Sequence, residues 1–233
     1  MKKLIGLFAT LTVFVTLQLA KADTIAEWTF ETTYPGYWLD AGVWFTNIPA
    51  DIGWGTASAL HSQATGYVVN SGNGSTHSMG VTNSWEVGDF FQFAVSTAEY
   101  QNITISYDQA GSLTGPRMFF FEYSIDGSTF AKFGSDYRVN VGQWTYSSTS
   151  TTNSFSFDLS SVTSINDQTT VYFRIVDDST IAIGGGTVRG YMDDRIDNFL
   201  VSAQPVPEPS TMALTVIGGA FGALISQRKR AKN

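Results

Sequence analysis

Met118-Phe-Phe-Phe-Glu-Tyr-Ser-Ile-Asp-Gly-Ser-Thr-Phe130 decides the fold class of this chain. Phe119, Phe121, Tyr123 and Ile125 fall on one side of an extended segment, because successive side chains of a strand point to opposite faces. Asp126-Gly127 follows at once. Glycine tolerates the positive φ of a tight turn, so this dipeptide is the strongest hairpin signal in the chain, and the segments on either side of it are expected to pair. The same period of two recurs outward from here: Ile103, Ile105 and Tyr107; Phe155, Phe157 and Leu159; Val171, Phe173 and Ile175; Ile196, Asn198 and Leu200. No segment carries a helical stripe. The class is therefore all-β, with a first strand over residues 25–31 and a last over 196–202. Many antiparallel strands with uneven loops favour a two-sheet antiparallel jelly-roll sandwich over an up-and-down barrel, with the two chain ends side by side.

Composition bounds what such a sandwich can do. The chain has 233 residues and no cysteine, so disulfides, thiolate metal sites and a cysteine nucleophile are excluded. Residues 23–204 hold 19 acidic and 6 basic side chains, a net of −13, which speaks against binding nucleic acid or anionic lipid by charge. The two histidines, His61 and His77, lie in Ser- and Gly-rich sequence and read as polar loop residues, too few for a histidine zinc site. No serine sits in a nucleophile-elbow pattern. The acids supply many carboxylate pairs of the kind glycoside hydrolysis uses, but no pair stands apart.

The two ends read as addresses. Lys2 and Lys3, the apolar run Leu4 to Leu19 and Ala20-Lys21-Ala22 form a signal peptide over residues 1–22, cleaved by signal peptidase after Ala22; an uncleaved anchor helix is the alternative. At the other end Val206-Pro207-Glu208-Pro209-Ser210-Thr211 precedes an uncharged run, Met212 to Ser226, and a basic tail, Arg228-Lys229-Arg230-Ala231-Lys232. As a helix that run spans about 22 Å, somewhat short of a hydrocarbon core of about 30 Å, and the basic end should stay cytoplasmic. Residues 204–210, with three prolines, read as an extended linker outside either sheet.

This C-terminal arrangement resembles the PEP-CTERM sorting signal of Gram-negative bacteria. The resemblance implies that residues 205–233 are a sorting signal with a transmembrane helix as a transient inner-membrane anchor. It also implies that Pro207, Glu208 and Pro209 are recognised by an exosortase-type processing enzyme, in a cell that makes exopolysaccharide. A plain tail anchor behind a proline linker is the other reading. The stretch from Ile103 to Val201 resembles sandwich domains of other PEP-CTERM proteins, through Gly115-Pro-Arg117, Tyr123 to Phe130 and Arg195-Ile-Asp-Asn-Phe199. Those domains look like galactose-binding or concanavalin-like jelly rolls.

Two ligand expectations follow. Acidic residues gather at Asp177-Asp178, Asp193-Asp194 and Asp197, and jelly rolls of this kind hold a structural calcium between the first and last strands, which maps onto Glu31 and Asp197. The plainer alternative makes Asp193 and Asp194 solvated turn residues and has Asp197 hydrogen-bond a neighbouring loop. Tyr34, Tyr37, Trp38, Trp44 and Trp54 are dense enough to make a sugar platform, with Trp38 and Trp44 as the stacking rings, although dense aromatics are more often core. The leading expectation is a non-catalytic exported surface or extracellular-matrix protein of the envelope or exopolysaccharide. A carbohydrate-binding module, calcium-dependent or not, is the alternative, and a jelly-roll glycosidase or lyase the weaker one.

Overall fold

The computed structural model describes residues 21–31, 37–82, 85–189 and 194–207. Fourteen strands run through these residues. In chain order they are β1 (Asp23–Trp28), β2 (Tyr37–Leu39), β3 (Phe45–Pro49), β4 (Ile52–Gly53), β5 (Gly55–Leu60), β6 (Thr65–Asn70) and β7 (Ser78–Thr82). Then come β8 (Phe90–Val95), β9 (Tyr100–Gly111), β10 (Met118–Ser124), β11 (Ala131–Arg138), β12 (Ser154–Asp158), β13 (Val171–Asp177) and β14 (Asp194–Pro205). They form two antiparallel sheets. One has six strands in the order β11-β10-β13-β8-β5-β3; the other has eight, β12-β9-β14-β7-β6-β2, with β1 beside β14 and β4 beside β1. The all-β two-sheet class expected from the sequence is the class observed.

The quoted hairpin forms as read. β10 pairs with β11, Tyr123 opposite Ala131, and Gly127 takes φ +70° between them. Asp126 locks the turn: its Oδ1 accepts the N–H groups of Ser128 and Thr129, each at 2.7 Å, and these bonds hold its carboxyl down at about 2. Phe119 and Phe121 are buried, but Ile125 lies past the strand end and is exposed.

The core is aromatic and lies between the sheets. Phe93 of β8 stacks on Phe199 of β14 at 3.5 Å between ring centres, and Trp28 of β1 meets both rings edge-on at 5.1 and 5.8 Å. Phe121 stacks on Phe157 at 4.6 Å, closing the other end. Truncating one such ring removes its burial and leaves a cavity, a loss of about 3–5 kcal/mol.

β14 departs from its simple alternation. Ile196 faces the core, but the pairing with β9 shifts between Asp197 and Leu200, and Asn198 takes φ +50°. One extra residue there makes a β-bulge, so Phe199, Val201 and Ala203 are buried while Asn198 and Leu200 leave the core face. β14 also runs further than read: Gln204 pairs with Gln101 and Pro205 with Tyr100, so the first residues of the expected linker belong to the sheet. Proline is tolerated there because it sits at the strand end. Asp23 lies opposite Ala203, which brings the start and end of the sandwich together. Among the described residues no helix is long and apolar enough to cross a membrane; residues 1–20 of the signal peptide expected over 1–22, and the expected sorting helix, lie outside them.

Candidate functional site

Strand register builds a row of polar side chains across the outer face of the six-stranded sheet. Lys132 of β11 lies opposite Glu122 of β10, Glu122 opposite Arg174 of β13, Arg174 opposite Gln92 of β8, and Gln92 opposite Ser58 of β5. Residues directly opposite each other share a face, so all five project away from the core. Arg174 is the centre. Its Nε donates to Gln92 Oε1 at 2.8 Å, and its Nη1 lies 3.7 Å from Glu122 Oε1. Burial pushes the Glu122 carboxyl up and the Arg174 guanidinium down, against their mutual attraction.

Aromatic and apolar groups flank this row. Phe120, Val176, Phe90 and Leu60 form the next row along the same face. The guanidinium of Arg174 lies 3.9 Å from the ring centre of Phe90 and 3.5 Å from that of Phe130, and Trp44 packs edge-on against Phe90 at 5.4 Å. Lys132 sits over Phe120 at 4.6 Å. Lys132 is exposed and Glu122 and Arg174 are half-buried, whereas Gln92 and Ser58 are buried and hydrogen-bond each other, so the accessible polar groups are ammonium, guanidinium and carboxylate beside ring edges and faces. Glu122 is the carboxylate within the row, and Asp136 of β11 ion-pairs Lys132 beside it.

The expected aromatic platform is split. Trp38, Trp44 and Trp54 are all exposed, at 62%, 39% and 86%. Trp38, however, stands on β2 at the edge of the eight-stranded sheet, Trp44 immediately precedes β3 at the edge of the six-stranded sheet, and Trp54 occupies the turn between β4 and β5. Trp44 alone of the three joins the Arg174 face. Tyr34 lies outside the described residues.

Glu31 and Asp197 do meet a common element, the loop 72–77. Asp197 Oδ2 accepts the N–H of Asn73 at 2.7 Å and lies 2.7 Å from Ser75 Oγ, while Oδ1 accepts the N–H of Asn198 at 2.8 Å. Glu31 Oε1 accepts the N–H of His77 at 2.8 Å. Asp197 is wholly buried and makes no ion pair among the described residues, and burial raises its carboxyl to about 6 despite those bonds. A Cβ on Gly72 would collide with Ser75 Oγ, the His77 carbonyl oxygen and Asp197 Oδ2, so three oxygens converge on one point. No three His, Asp or Glu side chains gather into a metal cluster among the described residues. Ser75 Oγ lies within hydrogen-bond distance of both the other oxygens, 3.1 Å from the His77 carbonyl oxygen and 2.7 Å from Asp197 Oδ2.

The remaining sequence candidates sort as follows. Asp194 is buried and accepts from Gln109 Nε2 at 3.1 Å, so it is not a solvated turn residue; Asp193 lies outside the described residues. Asp177 is buried, and desolvation lifts its carboxyl to about 7. Pro207 is exposed, just beyond the bond from the Val206 N–H to the Glu99 carbonyl, whereas Glu208 and Pro209 lie outside the described residues.

His61 is a correction. It is 1% exposed, with Nδ1 3.3 Å from Asp89 Oδ2 and its ring against Trp85 at 4.3 Å. Its polar sequence neighbours hide this, because the groups that enclose it come from another part of the chain. The pair is sealed from solvent, which bars it from acting on a substrate.

No family model matches this sequence, and no curated protein matches it. Among solved structures the chain is similar to the family 22 xylan-binding domain of Paenibacillus barcinonensis Xyn10C, at 11% identity over 81% of this chain and 99% of that one, with a TM-score of 0.43. It is also similar to the family 11 carbohydrate-binding module of Clostridium thermocellum Lic26A-Cel5E, at 12% identity over 81% and 97%, with a TM-score of 0.37. An enzyme, the α-L-arabinofuranosidase MgGH51, is similar over 77% of this chain and 27% of its own, at 10% identity and a TM-score of 0.38. At these scores the likenesses carry no inference about ligand or activity.

Proposed function

We propose that this chain is a non-catalytic carbohydrate-binding jelly-roll sandwich that takes a polysaccharide along the outer face of its six-stranded sheet. The observation that carries the reading is the Lys132–Glu122–Arg174–Gln92–Ser58 row, set beside Phe90, Phe130 and Trp44. Sugar hydroxyls both donate and accept, and Lys132, Arg174 and Glu122, the members of the row that solvent reaches, supply both kinds of partner; the C–H faces of pyranose rings pack on aromatic groups. Three accessible polar groups on three adjacent strands, with Trp44 at the far edge of the same sheet, suit an extended chain better than a single sugar.

A calcium ion held by Asp197, Ser75 and the His77 carbonyl belongs to the same reading and would supply the positive charge that the buried carboxylate lacks. Export completes it. Pro207, Glu208 and Pro209 serve an exosortase-type enzyme after signal peptidase has acted, and the sandwich reaches the envelope, outer surface or extracellular matrix, where exopolysaccharide is its ligand.

Affinity electrophoresis tests this directly. Native gels cast with xylan, mixed-linked β-glucan or the host exopolysaccharide should retard the protein, and Trp44→Ala should lose retardation without losing its melting temperature, while Trp38→Ala keeps both. Equal mobility in every gel would reject the reading.

A further inference from the structure

The outer face of the eight-stranded sheet carries a depression of about 290 Å³, unconnected in register with the Arg174 row. Pockets that hold small molecules begin near about 300 Å³. Its polar lining comes from four strands: Glu27 of β1, Ser106 and Asp108 of β9, Ser154 of β12 and Asn198 of β14, with Leu200 as an apolar neighbour. The bulge in β14 is what sends Asn198 here. Asn198 Nδ2 donates to Asp108 Oδ2 at 2.9 Å, and Ser154 Oγ donates to Asp108 Oδ1.

We propose that this depression is a second binding site, shaped for one neutral pyranose-sized polyhydroxylated ring. Asp108 is 93% removed from solvent and makes no ion pair among the described residues; its two bonds leave each oxygen with a lone pair for a further donor. Glu27 is half-buried at the rim, and no hydrogen bond or ion pair of its carboxylate is formed among the described residues. Two acceptor-only carboxylates and the Ser106 hydroxyl, with Leu200, Tyr107 and Phe155 completing the lining, match a ring rich in O–H groups with a C–H patch. They disfavour a uronate or any other anion, since no cationic side chain lines the depression. A sandwich with a chain-binding face on one sheet and a single-ring site on the other would bridge two glycans. The site itself stands independently of the first reading.

The test is amide-resolved NMR of the ¹⁵N-labelled full-length protein titrated with D-glucose, D-galactose and D-xylose. At least one sugar should give saturable shifts at Ser106, Asp108, Asn198 and Leu200, and none on the Arg174 row. Ser106→Tyr, which fills the depression, and Glu27→Gln should each weaken that response at least tenfold with an unchanged melting temperature. Absence of saturable shifts overturns the proposal. So do shifts confined to Glu122, Arg174 and Gln92, which would support the polysaccharide face alone, and shifts produced by calcium chloride but by no sugar.

Discussion

Glu31 and Asp197 grip opposite ends of one loop: the Asp197 carboxylate takes the Asn73 N–H at 2.7 Å, and the Glu31 carboxylate takes the His77 N–H at 2.8 Å. Strands from the two ends of the sandwich are thereby fastened through residues 72–77. The Asp197 end is the sensitive one, because that carboxylate is buried without a cation. Calcium at a hundredfold excess over its dissociation constant should stabilise the fold by about 2.7 kcal/mol, which is roughly 5–10 °C in melting temperature for a chain of this size. Asp197→Asn should abolish the response. A melting curve unmoved by calcium or chelator would leave Asp197 as a loop clasp alone.

Stability should also fall with rising pH. Asp177 is raised to about 7 and Asp197 to about 6, both chiefly by burial. Each folded value exceeds the unfolded one, so from about pH 4 upward the native state holds more protons than the unfolded chain, and stability declines through the window until each group has ionised. The Asp197 part is about 3 kcal/mol at neutral pH. Urea midpoints measured in chelator should therefore be lower near about pH 7.5 than near about pH 5, with Asp197→Asn flattening the curve. Stability that rises across this interval would contradict the assignment.

The tryptophans should separate sharply by position. Trp28 is fully buried against Phe93 and Phe199, and Trp28→Ala should cost about 3–5 kcal/mol. Trp54 is 86% exposed in a turn, and Trp54→Ala should stay within about 0.5 kcal/mol. Chemical denaturation of both variants reads the difference; comparable losses would contradict the packing described.

His61 and Asp89 should be strongly coupled. His61→Ala removes one partner of the buried Asp89, which keeps the N–H groups of Ser62 and Glu86, at a cost of about 1–3 kcal/mol, so Asp89→Asn added to His61→Ala should cost less than the two singly summed. A double-mutant cycle by urea unfolding gives the coupling; strict additivity would mean the pair contributes nothing together.

Local chemistry made much of this fold readable. The Asp126-Gly127 turn was visible because its residues demand that conformation, and Ile103, Ile105, Val171, Phe173 and Ile175 face the core as their alternation implies. The bulge at Asn198 was not readable, since one inserted residue reverses which face the rest of β14 presents and leaves no compositional mark. The polar row was invisible for a related reason. Lys132, Glu122, Arg174, Gln92 and Ser58 come from five strands, and register alone aligns them. His61 was misread because its burial depends on Asp89 and Trp85, far along the chain. The aromatic density around Trp38, Trp44 and Trp54 was real, but the chain distributes those rings between two sheets and a turn.

The central claim is that glycan lies across the Arg174 face. Isothermal titration calorimetry of the full-length protein with xylotetraose, a mixed-linked β-glucan tetrasaccharide and oligosaccharides of the host exopolysaccharide measures it most directly. The account predicts saturable binding of at least one of them, weakened tenfold or more in both Lys132→Ala and Trp44→Ala while urea midpoints stay in place. Binding that survives both substitutions undiminished, or no heat from any oligosaccharide, would contradict it.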